Sequence, residues 1–316
     1  MTTTNTPVRP DATLVARAIE SLSDWTDGRV GRRWTVAETL ESLNSTILYI
    51  DVVGSESPKK LVYKFIKPRK LDGWFERNLS VINPAVRLLE AEGLLGAPVL
   101  SFDVRQCTVI TLYLPGETLR HLQRSERRLT EQQERLYREI GRACRILESV
   151  NEPYSDDELT EDLWRRFEGR LLRAGFSNSL KRDIEESAQS RLAAATSQQA
   201  AYVRSHFEMG HSNIVHDGGA PGFIDLNFRP SLIGATVAKM IHREELGVRN
   251  HWLSPAVGEA TDALLQGYGP IESPDAMAFQ QMGFLLGALP GPSQRSWVSP
   301  RRKRALIKLK SLVRAS

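Results

Sequence analysis

Cysteine is scarce in this chain. The 316 residues contain two, Cys107 and Cys144, with no ligand-like spacing. Both lie in apolar segments and read as buried, reduced thiols, which excludes a disulfide scaffold. No apolar run approaches the roughly 20 residues that cross a bilayer. The first residues, Met1 to Pro7, lack the basic-then-apolar layout of a signal peptide. A cytoplasmic protein is expected. Acid is missing from residues 295–316, which hold eight basic side chains and no acidic one. Removing those eight from the net charge of +4 leaves −4 for residues 1–294. The basicity belongs to a tail, so it does not signal a nucleic-acid surface, and no nucleic-acid partner is expected.

What is present is ordinary globular composition and enough chain for one large domain or two modest lobes. Residues 1–10 read as a disordered extension, followed by a helix with Leu14, Ala18, Ile19 and Leu22 on one face. Residues 34–114 read as a small sheet with one internal helix. Its strand candidates are 34–40 (the most ambiguous), 46–53, 61–66, 99–104 and 108–114, and the helix carries Val86, Leu88 and Leu89 and ends near Gly93. After Pro115-Gly116 the pattern turns helical. Thr130 to Gln133 is a capping box before Leu136, Ile140, Ala143, Cys144 and Leu147. Ser155 to Glu158 is a second, before Leu159, Leu163, Phe167 and Leu171. Further helices are expected near 178–197, 232–245, 255–267, 275–287 and 300–314. The division is an extension (1–33), a β-rich lobe (34–114), a helical lobe (115–298) and a basic amphipathic helix (299–316). The class is α+β, with no internal repeat.

The densest chemistry lies in 206–225. Glu208 is followed five residues later by Asn213, and twelve beyond that by Asp225. Between the last two stand a short apolar strand (Ile214, Val215), a turn from Asp217 to Gly222 and a second apolar strand (Phe223, Ile224). Asp-Gly and Pro-Gly pairs form turns, so a hairpin is predicted with Asn213 at its entrance and Asp225 at its exit. Such hard oxygen ligands suit a divalent cation, with Glu208 beside them. His206, His211 and His216 recur every five residues, whereas helical zinc sites want three or four. Lys64 stands inside the apolar strand Leu61 to Ile66, where a charge is costly unless paired or facing solvent.

The 206–225 spacing resembles the catalytic loop and metal segment of the kinase-like phosphotransferases, in particular the aminoglycoside phosphotransferase and choline kinase group. That pattern is His-Gly-Asp, four residues, Asn, then a hairpin ending in Ile-Asp-Phe. The resemblance implies a protein-kinase-like fold with a small β-rich N-lobe and a larger helical C-lobe. It implies ATP (or another NTP) and Mg²⁺, and transfer of the γ-phosphate to a hydroxyl of a small molecule or glycan. His206 matches the structural His, and Asn213 and Asp225 match the metal ligands. Lys64 matches the phosphate-binding Lys, with Glu76 as the best candidate for its helix partner. Ser42, Asn44 and Ser45 take the place of a glycine-rich phosphate loop, and Leu112 and Tyr113 that of the inter-lobe linker. Leu264 to Gly269 matches a phrase ending a C-lobe helix.

Two departures stand out. The catalytic Asp is Glu208 here: acidity is similar, but reach grows by one methylene. A displacement of about 1 Å costs on the order of a hundredfold in rate, so the alternative reading is a catalytically impaired, nucleotide-binding regulator. The family's later Gly-Asp-Pro segment is also absent, so acceptor architecture does not carry over. In the tail, Ala305, Leu306, Leu309, Leu312 and Val313 share one helical face. That face either docks on the helical lobe or makes peripheral contact with an anionic membrane through 299–316. Neither acceptor nor oligomeric state is legible.

Overall fold

The computed structural model describes residues 12–17, 20, 33–41, 45–53, 59–66, 74–119, 128–197, 201–247, 255–289 and 300–315. The chain divides into two compact units, Met1–Arg87 with Gly96–Pro115, and Leu88–Leu95 with Gly116–Ser316.

In chain order the first part holds β1 (Arg33–Glu41), β2 (Ser45–Val53), β3 (Lys59–Ile66), helix α1 (Trp74–Ala91), the short β4 (Leu95–Gly96) at the boundary, β5 (Val99–Asp103) and β6 (Thr108–Leu112). Five strands form an antiparallel sheet in the order β1-β2-β3-β6-β5. The period of two in a strand sorts its side chains. Leu48, Ile50 and Val52 of β2, Leu61 and Tyr63 of β3, and Ile110 of β6 bury one face. Lys64 takes the other face, between Ile47 and Val109 of the neighbouring strands.

Helix α1 contains Pro84, which cannot donate to the helical ladder. Asn83 fastens that turn to β5, its amide donating to Val99 O at 2.9 Å and accepting from Val99 N at 2.8 Å. The helix closes as a Schellman motif on left-handed Gly93: Leu94 N–H donates to Leu89 O, and Gly93 N–H to Glu90 O. Val86 and Leu89 are buried, but Leu88 is exposed, one step around the helix from the face expected for it. Cys107 also differs from its expectation. It sits half-buried with φ +59°, ending a turn in which Asp103 Oδ1 accepts from Arg105 N and Gln106 N, while Cys144 is buried.

The second unit continues with β7 (Glu117–Thr118), α2 (Glu131–Glu148), α3 (Asp157–Arg173), α4 (Asn178–Thr196), β8 (Tyr202–His206), β9 (Ile214–His216), β10 (Gly222–Phe223), β11 (Phe228–Leu232), α5 (Ala235–Gly247), α6 (Pro255–Tyr268), α7 (Pro274–Ala288) and α8 (Pro300–Arg314). Thr130 and Gln133 form the capping box of α2. At α3 the cap is Asp156 rather than Ser155: its carboxylate accepts from Leu159 N at 2.8 Å, adding a negative charge at the positive end of the helix dipole. The β8–β11 pair lies outside the expected strands, because Pro230 in β11 argues against a strand. In a two-stranded ribbon, where Pro230 faces Arg204, the missing N–H is tolerated.

Phe167, Leu171, Ile184, Leu192, Phe279 and Met282 make the core of this unit, with the Phe167 and Phe279 rings stacked at 5.2 Å. Ala305 and Leu309 of α8 are buried in the same core. Arg191 of α4 donates to Asp275 at 2.9 Å and to Leu312 O at 3.0 Å, and Lys308 pairs with Glu245. The apolar face of the basic helix is therefore used within the unit, leaving Ile307 as its exposed large apolar residue. No helix among the described residues is long and apolar enough to cross a membrane.

Two further contacts set where the helices stand. Helices α2 and α6 cross backbone to backbone, since a Cβ on Gly267 would lie 1.8 Å from Arg138 O and one on Gly141 2.0 Å from Leu264 O. Glu148, 4% exposed at the end of α2, accepts from Gly234 N (2.9 Å) and Thr236 N (2.6 Å) at the start of α5 and from the Tyr268 hydroxyl (2.7 Å) of α6. Gly267→Ala is expected to cost about 3 kcal/mol by overpacking. Gly169→Ala, where a Cβ meets nothing within 4 Å, should gain about 0.5–1 kcal/mol in helix α3. Urea unfolding of both variants checks the pair.

Candidate active site

β8 and β11 pair so that Phe228 faces His206, which brings the residue after β8 and the residue before β11 to the same end. Phe207 N–H donates to Asn227 O at 2.9 Å, and Asn227 N–H donates to His206 Nδ1 at 3.2 Å. Asn227 O lies 3.3 Å from the same ring nitrogen, so Nδ1 faces both backbone groups of Asn227. His206 is completely buried, and that burial pushes its pKa down. Donation from the ring to the Asn227 carbonyl and the charges of Asp225 and Glu208 act the other way. His206 thus supports the loop from beneath.

From that support the chain runs through Glu208 and the buried Met209 into a single turn, His211–Asn213, and then into β9. Asn213 is fixed three times over. Its backbone N–H donates to Gly210 O (2.9 Å), its carbonyl accepts from Ile224 N (3.0 Å), and its side-chain Nδ2 donates to Glu208 O (3.0 Å). With the amide nitrogen occupied, Oδ1 is the atom turned to other partners, and Ser212 Oγ donates to it at 3.2 Å.

β9 and β10 pair Ile214 with Phe223 and Val215 with Gly222. The hairpin hence delivers Asn213 and Asp225 to its open end, where Ile224 N bonds Asn213 O. Asp225 is exposed and takes φ +54°, a left-handed conformation uncommon for any residue but glycine, Asn and Asp. Strain of this kind gathers at functional sites. The donors here, a side-chain amide oxygen and an exposed carboxylate, are hard oxygens that suit Mg²⁺, which keeps water and phosphate oxygens in the rest of its shell.

His211 and Glu244 of α5 hydrogen-bond as a little-exposed pair, 11% and 2%, tying the loop to that helix. His216 stands opposite Glu117 in the β7–β9 pair. The three histidines are thus spent on separate partners, and no group of three or more His, Cys, Asp or Glu converges as a metal cage among the described residues.

The residues of the first unit are placed as follows. Lys64 is half-buried at mid-strand in β3. Ser45 is a ladder residue opposite Ile66 rather than a loop residue, and Ser42 and Asn44 lie outside the described residues. Glu76 falls in the first turn of α1, its side chain outside the described set. Leu112 N–H donates to Pro98 O (3.2 Å) and Tyr113 N–H to Lys60 O (3.0 Å), so the N–H groups of both are engaged within the first unit. The Tyr113 ring is crossed by Lys60 Nζ at 4.8 Å and meets Tyr49 edge-on at 5.8 Å.

Three groups were missed by the sequence reading. The His211–Glu244 pair spans 33 residues and leaves no local signal. Glu148 did leave one, an acid at the C-terminal end of a helix, where the dipole disfavours it. Lys239 left another, a cation within an apolar helical run.

No protein-family model and no curated protein sequence matches the chain. Solved structures do match it in fold. A candidate fructosamine-3-kinase from Thermobifida fusca superposes with a TM-score of 0.59 at 13% identity, covering 96% of this chain and 100% of that one. A thermostable variant of aminoglycoside phosphotransferase APH(4)-Ia, in a ternary complex with AMP-PNP and hygromycin B, gives 0.57 at 12%, covering 94% and 98%. A choline/ethanolamine kinase family protein from Mesorhizobium loti gives 0.54 at 14%, covering 95% and 94%. The chain has the two-lobed, protein-kinase-like fold of the aminoglycoside phosphotransferase and choline kinase group.

The sign of one pH effect follows from His206. Its folded pKa lies below that of an unfolded histidine, about 6.5. The stability it contributes is complete above about pH 6.5 and is lost as pH falls from there through the folded value, because the unfolded chain takes up the proton first. Urea midpoints between pH 7.5 and 5 should fall less steeply for His206→Gln than for the wild type. Parallel slopes would clear His206 of the effect.

Proposed function

We propose that the protein is an ATP- and Mg²⁺-dependent phosphotransferase that moves a γ-phosphoryl group onto a hydroxyl of a small molecule or sugar. The observation that carries this reading is the Asn213 side chain. Its nitrogen is held by the Glu208 carbonyl, which leaves its oxygen as the acceptor, and the Ile224 N–Asn213 O bond brings Asp225 to the same end of the hairpin. A purely structural asparagine has no need of a strained, exposed carboxylate beside it. The fold agrees with the reading, since the APH(4)-Ia variant of similar fold holds AMP-PNP and hygromycin B.

Phosphoryl transfer leaves a protein little covalent chemistry to do, so its work is positioning and neutralising charge. Asn213 Oδ1 and the Asp225 carboxylate would hold Mg²⁺, which when bound neutralises charge on the nucleotide's phosphates. Lys64 is the phosphate-binding cation in this reading. Glu208 orients the acceptor hydroxyl and accepts its proton. Backbone bonds at Phe207 N and Met209 N hold the chain on either side of Glu208, so the added reach of Glu over Asp resides in the side chain. The second reading, a nucleotide-binding regulator with impaired turnover, draws on that methylene and on the engaged N–H groups of Leu112 and Tyr113.

Thermal-shift titration with ATP is expected to stabilise the protein only when Mg²⁺ is present, and Asp225→Ala should abolish the Mg²⁺ dependence. An ATP response indifferent to Mg²⁺ in the wild type would count against both roles of the hairpin. In ATP turnover over a panel of hydroxyl-bearing compounds, Glu208→Ala should lower kcat by about a hundredfold or more. Full turnover in that variant removes the role given to Glu208, and Mg²⁺-dependent binding without turnover of any acceptor favours the regulator.

A further inference from the structure

Lys239 has no part in the site described so far. It lies in α5 among Thr236, Val237, Ala238, Met240 and Ile241, all of them buried. Its Nζ sits 4.4 Å from the centroid of the Phe284 ring and 5.4 Å from that of Phe207, the residue immediately before Glu208. The Arg229 guanidinium covers the same Phe207 ring at 4.6 Å. Burial pushes the Lys239 amine down to about 8, and the positive charges of Arg243 and Arg170 push in the same direction, while Glu208 acts against them. Arg170 of α3 is held in place by a 2.9 Å hydrogen bond to Gly283 O, beside Phe284 on α7. No ion pair joins Lys239 to a carboxylate among the described residues.

Holding Lys239 and Arg170, both partly stripped of water, close to each other and to the exposed Arg243 costs a fold stability, because the like charges repel. Aromatic faces recover part of that cost and fix the amine in place. They do not cancel the positive charge of Lys239 itself, which stands beside the loop that carries Glu208. Perturbed groups in such a position are candidates for function rather than packing. A cationic acceptor would be repelled there, and a neutral one gives the cluster nothing to bind.

We propose that Lys239, with Arg170 and Arg243 near it, forms a subsite for an anionic group, phosphate or carboxylate, on the acceptor molecule. The inference rests on the phosphotransferase reading above, and it narrows the acceptor to a hydroxyl compound that already bears negative charge. Lys239 binds and orients that group as a point charge, and Arg170 offers planar donors to its oxygens.

The test is a thermal-shift titration of the full chain with inorganic phosphate, D-glucose 6-phosphate, D-glucuronate and D-glucose. It is run with AMP-PNP and Mg²⁺ saturating, so that the phosphate positions of the nucleotide are already filled. At least one anionic probe should give a saturable stabilisation that D-glucose does not, and the phosphate and carboxylate arms tell the two chemistries apart. Lys239→Met should remove that response and Lys239→Arg keep it, with the AMP-PNP response unchanged in both. No anion response in the wild type, or an undiminished one in Lys239→Met, overturns the proposal. Labelling of the wild type with acetic anhydride needs no substitution: a stabilising anion should slow acetylation of Lys239, and one that does not also overturns the proposal. Failure of the phosphotransferase reading looks different, an anion response that persists while AMP-PNP gives no Mg²⁺-dependent shift.

Discussion

The buried carboxylate of Glu148 is the contact on which the arrangement of helices within the second unit depends. It ends α2 and receives two backbone N–H groups from the start of α5 and a hydroxyl from α6, so three helices meet at one side chain. Burial raises the pKa of that carboxyl, and the three donors oppose the rise. Its value lies in satisfying groups that have no other partner, since the first N–H groups of a helix have none within it. The Tyr268 hydroxyl is itself pushed well above its usual range by burial and by the carboxylate, so it remains a donor. Once α5 starts where Glu148 holds it, Glu244 is set for His211, and the same helix carries Lys239. The loop with Glu208 and Asn213 is therefore braced from a point far away in sequence.

Much of the fold was legible because it is written in local periodicity. The strands of the first unit follow the alternation of Leu48, Ile50 and Val52, and the α2 capping box is fixed by four consecutive residues. The 206–225 spacing was legible for a similar reason, because a hairpin converts sequence separation into proximity without reference to the rest of the chain. What escaped was set by tertiary context. Pro230 hid β11, since proline argues against a strand until its partner is known to be a single strand. Asp156 displaced Ser155 as a cap, a choice between adjacent acceptors that depends on how the chain enters the helix. Leu112 and Tyr113 looked available as a linker, yet their N–H groups go to Pro98 and Lys60, partners invisible to a linear reading.

The phrase Leu264 to Gly269 shows how a family-like pattern can be wholly architectural. Gly267 lets α2 approach to backbone contact, Tyr268 donates to Glu148, and Gly269, with φ +85°, ends the helix by donating to Leu265 O. Nothing in that account requires a substrate. The residues proposed for chemistry behave differently. Asp225 is exposed and strained, and Lys239 is desolvated beside other cations, so each carries a cost in stability that packing alone does not explain.

Asn213 draws on its two amide atoms for unlike purposes. Its nitrogen closes the loop on the Glu208 carbonyl, while its oxygen accepts from Ser212 Oγ and keeps a second lone pair for another partner. An aspartate would be the stronger cation ligand, but it has no hydrogen to give, and its second oxygen would face that carbonyl at 3.0 Å. Choosing the amide thus keeps the loop shut whether or not an ion is bound. It also keeps a third carboxylate out of the turn that joins Glu208 to β9.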